Sequence, residues 1–154
     1  MIPHFNEDGY LPEGIHDATF GDFQERFVWN GKRLILLDGL RQVVYQLWRA
    51  GVEDIYITGS FCTKAPFPND VDGYWVYQKG LDLSKVDPVI LNMNIHALDP
   101  VSGRYVRMIK LKYGVEFFMD SPSHKVEGLT CAEFFSCSRD GVPRGIIRLR
   151  KDHG

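Results

Sequence analysis

The chain has 154 residues, 44% hydrophobic and 25% charged, with a formal net charge of −2. That length and balance suit one domain with a real core and exclude extensive disorder. The near-neutral charge carries no duplex nucleic-acid signature, although a local basic groove stays open, and no apolar run reaches the roughly 18 residues that span a bilayer.

In chain order, residues 1–18 read as an irregular arm punctuated by Pro3, Gly9, Pro12 and Gly14. Phe5, Tyr10, Leu11 and Ile15 can pin it to the body, with His4 and His16 as structural parts. MIPHFNEDGYLPEG has acids and prolines where a signal peptide needs a basic region and an apolar core. Thr19-x-x-Asp22 resembles a capping box opening a short helix with Phe20, Phe23 and Phe27 on one face. Asn30-Gly31 is expected to break it.

From Lys32 to Ala50 the period is helical, with Leu34, Leu37, Leu40, Val44, Leu47 and Trp48 as the apolar stripe. Arg33, Arg41 and Arg49 fall largely between those positions, and Gly51 suits the residue just past the helix. Glu53–Thr58 reads as a strand that stops at Gly59-Ser60, and Val71–Tyr77 as a second strand. Residues 81–95 are a short helix or a crossing segment, Asp99–Gly103 marks a turn, and Arg104–Leu111 fits helix or strand. Val115–Met119 is a third strand, 130–137 a short helix burying Phe134 and Phe135, and Gly145–Leu149 a last strand. Residues 150–154 read as a flexible basic tail. No repeat or boundary divides the chain, so residues 1–154 form one α+β domain, a small mixed sheet backed by helices.

The chemistry concentrates in GSFCTKAPFPNDVD, residues 59–72. A strand turning at Gly59-Ser60 offers free backbone N–H groups to phosphate oxygens, and glycine lets a phosphate approach the backbone. Asp70 and Asp72, at i and i+2 on the next strand, project to one face. Two such carboxylates are hard oxygen ligands suited to Mg²⁺ or Mn²⁺, which would share a nucleoside triphosphate with the glycine-serine turn.

Gly59-Ser60, nine residues and Asp70-Val71-Asp72 together resemble the signature of the nucleotidyltransferase superfamily that includes DNA polymerase β and minimal nucleotidyltransferases. EDGYLPEGIH, GSFCTKAPFPNDVDGYW and DGVPRGIIRL extend the resemblance, nearly end to end, to short nucleotidyltransferase-like proteins of bacteria and their mobile elements. The resemblance implies a minimal nucleotidyltransferase fold and a third acid on a neighbouring strand, for which Glu116 in GVEFF is the candidate. It implies that Asp70 and Asp72 ligate metal, that Glu116 completes the site, and that ATP or another triphosphate donates a nucleotidyl group to a hydroxyl acceptor. The chain departs from the pattern in having glutamate as third acid, Gly73 after the acids, and no second domain to grip a base or acceptor. A non-catalytic protein acting by binding a protein partner, as an antitoxin does, is the alternative.

Lys64 is a further candidate for the triphosphate or a solvated loop lysine, and Glu116 is also open to ion pairing with Lys110 or Lys112. Trp48 and Trp75 read as core residues, with Trp75 the one that fits a nucleotide pocket. His96 and His124 read as surface histidines, and Arg144, Arg148 and Arg150 as a solvated basic strip. Ser60 lacks a His-Asp partner pattern. Cys62, Cys131 and Cys137 lack C-x-x-C spacing and read as thiols of a reducing, cytoplasmic compartment.

Overall fold

A computed structural model describes residues 2–92, 94–120 and 141–151. Strand β1 (Ile15–Thr19) leads into helix α1 (Phe20–Phe27) and the long α2 (Gly31–Ala50). Strand β2 (Ile55–Thr58) ends in a single 3-10 turn at Ser60–Cys62, followed by β3 (Val71–Val76). A second 3-10 turn (Leu83–Lys85) and helix α3 (Pro88–Leu91) precede the hairpin β4 (His96–Leu98) and β5 (Tyr105–Arg107). Helix α4 (Met108–Tyr113), β6 (Val115–Asp120) and β7 (Ile146–Arg150) are the last of the described elements.

Five strands form one mixed sheet in the order β1-β7-β2-β3-β6, and β4-β5 form a separate ribbon. β1 runs parallel to β7, β2 antiparallel to both β7 and β3, and β3 parallel to β6. The α+β class, with a small mixed sheet backed by helices, is therefore observed. Among the described residues no helix is long and apolar enough to cross a membrane.

Period-two alternation divides the sheet into two faces. Ile55, Ile57, Val71, Trp75, Val115, Phe117, Ile147 and Leu149 face one way and join Phe23, Phe27, Leu37, Leu40 and Val44 in the main core. Each fully buried Leu, Ile or Phe there contributes roughly 1.5–3 kcal/mol. Tyr74 and Ile146 form a second small cluster with Tyr56 and Phe118 on the opposite face. That second face carries the acids.

Several elements follow their sequence signals. Thr19 caps α1 by accepting from the Asp22 N–H, Gly51 ends α2 in the left-handed conformation at φ 103°, and Pro88 opens α3 at its first turn. Arg104–Leu111 resolves into both of its readings, strand then helix.

Other readings are corrected. The arm becomes strand at Ile15, before residue 18, because β1 finds a parallel partner in β7. Asn30 caps α2 by accepting from the Arg33 N–H rather than merely ending α1. The stripe of α2 keeps Leu37, Leu40, Val44 and Leu47 but is broader than expected, adding Arg33, Leu36 and Val43, and Leu34 is exposed. Arg150 closes β7 and pairs with Asp17, so the tail begins later than expected. Trp75 is core, as read, and stands on the face away from Asp72, so it does not line a pocket at the acids. Two readings hold: Cys62 is a buried free thiol, and His16, now in β1, has a structural part in holding the Pro12 carbonyl of the arm. The helix expected at 130–137, His124, Cys131 and Cys137 lie outside the described residues.

Candidate functional site

Asp72 lies in β3 with Thr58 of β2 directly across on one side and Glu116 of β6 directly across on the other. Residues opposed in a ladder share a face, so Thr58, Asp72 and Glu116 line up across three strands. Asp70 joins them from the residue just before β3, and its charge acts on both Asp72 and Glu116. The structure thus brings the three sequence-nominated acids together.

Gly59 is built into this site. Its backbone stands at φ 74° and ψ −166°, a region essentially reserved for glycine. A Cβ there would lie 2.3 Å from Asp72 Oδ2 and 2.8 Å from Asp72 Cβ. Two independent constraints, dihedral and space, demand glycine. Ser60 opens the 3-10 turn, and the next residues, Phe61 and Cys62, plunge into the core. Phe61 stacks on Phe23 with ring centroids 5.6 Å apart, which holds the turn against α1. We expect Gly59→Ala to destabilise the fold by roughly 2–4 kcal/mol from strain and overpacking. A denaturant midpoint unchanged from wild type would contradict this.

Gly73 also has a steric reason. A Cβ there would lie 2.3 Å from the Tyr56 carbonyl oxygen and 2.5 Å from the Phe117 ring. Phe117 of β6 occupies the core volume that an apolar side chain at 73 would fill.

The sequence did not reveal the residue that organises the Gly59–Asp72 connection. Arg33 is fully buried, and its guanidinium donates to the carbonyls of Phe27, Phe61, Thr63 and Ala65. It also lies 3.8 Å from the Trp29 ring centroid. Desolvation pulls its pKa down to about 10, yet it stays protonated at neutral pH. Its only advance signal is an arginine at a position where the apolar stripe has its own period.

The acids sit in a strained field. Burial, then the charges of Asp70 and Glu116, push Asp72 up to about 7, opposed by Arg144 and Lys110. Burial also raises Glu116, countered chiefly by Arg107. Arg107 reaches Glu116 Oε1 at 3.4 Å, donates to the Phe117 carbonyl at 2.7 Å, and covers the Phe118 ring. Lys110 pairs with Asp70 at 3.1 Å, so Glu116's ion-pair partner is Arg107 rather than either lysine considered from sequence. Lys112 instead serves Asp87 together with Tyr113, tying α4 to α3. His96 of β4 is exposed, yet its charge reaches Glu116.

Lys64 is placed elsewhere. Its backbone N–H donates to Gly9, and its ammonium lies 6.0 Å from the Phe5 ring centroid, against the N-terminal arm. Among the described residues, Arg144 and Lys110 are the cations that act on Asp72.

The donor set fits a hard divalent cation: all oxygen, partly buried, and mutually repulsive without one. Two buried polar atoms around Asp72 also lack hydrogen-bond partners, Thr58 Oγ1 across the ladder and Arg144 Nε. Lys110 and Arg107 nonetheless divide the acids, and among the described residues no group of three His, Cys, Asp or Glu side chains is arranged to hold a metal ion. The arrangement can concentrate positive charge from a ligand, and it is not a closed cage.

Comparison with curated proteins and with solved structures finds no match. Residues 3–150 match the model of a family of unknown function, DUF6932, and the chain belongs to that family.

Proposed function

We infer that this protein binds a nucleoside triphosphate with Mg²⁺ or Mn²⁺ and transfers a nucleotidyl group from ATP or another triphosphate to a hydroxyl acceptor. The observation that carries the reading is the gathering of Asp70, Asp72 and Glu116 on one sheet face, with Gly59 packed against Asp72. Asp70 and Asp72 would hold the cation and Glu116 would complete its oxygen set. A bound divalent cation supplies charge neutralisation to the entering and leaving oxygens of an in-line displacement.

The chain's own residues have separable tasks. Gly59 keeps the turn at Ser60 free of side-chain bulk, so a phosphate can approach its backbone N–H groups. Arg33 fixes that turn from behind through the Phe61 and Thr63 carbonyls. Asp72, raised to about 7 by burial and then by Asp70 and Glu116, gives up its proton more readily when a cation arrives. The minimal nucleotidyltransferase fold and a cytoplasmic location, with Cys62 as a buried thiol, belong to the same reading.

A second reading has its own observation. Lys110 on Asp70 and Arg107 on Glu116 already neutralise two of the acids, as in a site that serves only to stabilise the fold. In that case the protein acts by binding a partner protein, in the manner of an antitoxin. Titration calorimetry with ATP and Mg²⁺ separates the two. The enzyme reading expects binding that Asp70→Ala and Asp72→Ala each weaken by at least roughly tenfold, about 1.4 kcal/mol. Absence of binding at millimolar ATP sinks it. A co-purifying protein whose association survives both substitutions supports the second reading.

A further inference from the structure

Among the described residues three arginine or lysine side chains act on the acids, and two are committed. Lys110 is held by Asp70, and Arg107 by Glu116 and the Phe117 carbonyl. Arg144 differs. Its charge acts on Asp72 and on Cys62. Its Nε is buried without a hydrogen-bond partner. A buried donor left unpaired costs roughly 1–3 kcal/mol, and such groups in folded proteins call for an explanation, an unplaced ion among them.

The topology explains its location. β2 and β7 pair Ile57 with Ile147, and the same antiparallel spacing carried past the strand ends brings Arg144 level with Ser60. The N-terminal arm clamps the neighbouring residue. The Gly145 N–H donates to the Leu11 carbonyl, and a Cβ on Gly145 would lie 2.3 Å from the Pro12 carbonyl oxygen. The backbone just after Arg144 is therefore held by the arm at Gly145 and by β7 from Ile146 onward.

We propose that Arg144 is an oxyanion-binding residue of the carboxylate site, holding the phosphate chain of a nucleotide at the Gly59-Ser60 turn. The assignment rests on the nucleotide reading above and gives Arg144 the place that sequence spacing suggested for Lys64. A guanidinium presents a rigid fork that matches two phosphate oxygens at once, whereas an ammonium offers only a point charge. Acting on the half-buried Asp72, it also favours ligands that carry both signs, an anionic phosphate chain with its divalent cation.

Calorimetric titration of the full chain with inorganic triphosphate plus Mg²⁺ tests this, with ATP as a second probe. Arg144→Gln is expected to weaken triphosphate binding roughly tenfold or more, and Arg144→Lys several-fold, while Lys64→Ala matches wild type. Manganese binding followed by electron paramagnetic resonance should hold or tighten in Arg144→Gln, because removing a neighbouring positive charge favours the cation. A residue that merely balanced Asp72 would not produce that split. If Arg144→Gln does not fold, Arg144→Lys decides, and wild-type affinity in that variant overturns the assignment. Unchanged triphosphate affinity in Arg144→Gln, or a loss in Lys64→Ala instead, also overturns it while leaving the nucleotide reading intact. Wild-type protein that binds neither triphosphate nor ATP removes both.

Discussion

Arg33→Ala is expected to lower the melting temperature by about 10 °C or more. The substitution leaves the carbonyls of Phe27, Phe61, Thr63 and Ala65 without their shared donor in a region that excludes water. Each orphaned buried acceptor costs roughly 1–3 kcal/mol, and partial rewetting near the surface limits the sum to about 3–5 kcal/mol. For a chain of this length each kcal/mol moves the midpoint by roughly 2–4 °C. Arg33→Lys should recover only part of the loss, because one ammonium cannot span carbonyls on both sides of the loop. The same loop carries the exposed Lys64, so trypsin should cut there faster in Arg33→Ala than in wild type. A melting temperature within about 2 °C of wild type, with unchanged cleavage at Lys64, would show that the loop is held by something else.

Arg33 also marks where sequence reasoning stops. Its partners are backbone carbonyls, which every residue has, so no letter in the sequence announces them. Arg33 takes a buried position at the start of α2 where the period leads one to expect an apolar residue, so Leu34 is the one member of the expected stripe left exposed, while Leu37, Leu40, Val44 and Leu47 are buried. β1 escaped for a different reason. IHDAT has little strand character alone, and its parallel partner in β7 is more than a hundred residues away in the chain. By contrast, the Thr19 cap, the Gly51 terminator and the Gly59-Ser60 turn are local chemistry, and local chemistry is legible. Asp70, Asp72 and Glu116 were found by spacing and by resemblance, and the register of β3 against β6 puts Asp72 and Glu116 side by side. What spacing could not supply was the set of cations around them. Arg107, Lys110 and Arg144 come from a hairpin edge, a short helix and a closing loop, and only tertiary structure brings them to one place.

Asp72→Asn is expected to stabilise the protein at pH 8 in the absence of divalent cations. The sign follows from linkage. Burial and the two neighbouring acids raise Asp72 from the ordinary 3.8 to about 7, so between those values the folded state binds a proton that the unfolded state has released. Stability from this group is therefore full below about pH 4, falls as pH rises through that window, and is lowest above about pH 7. The amide cannot ionise, so the variant escapes the fall. Its advantage at pH 8 is of the order of 2–4 kcal/mol, or about 5–10 °C, and it should vanish near pH 4, where wild-type Asp72 is neutral too. Addition of millimolar Mg²⁺ at pH 8 should raise the wild-type midpoint and leave the variant nearly unmoved, because a cation bound only to the folded state returns what the charge repulsion removed. A variant less stable than wild type at pH 8 would mean that Asp72 is satisfied by its protein neighbours, and the site would then be structural. A more stable variant that Mg²⁺ no longer helps is the signature of a carboxylate kept at a cost to the fold for the sake of a ligand.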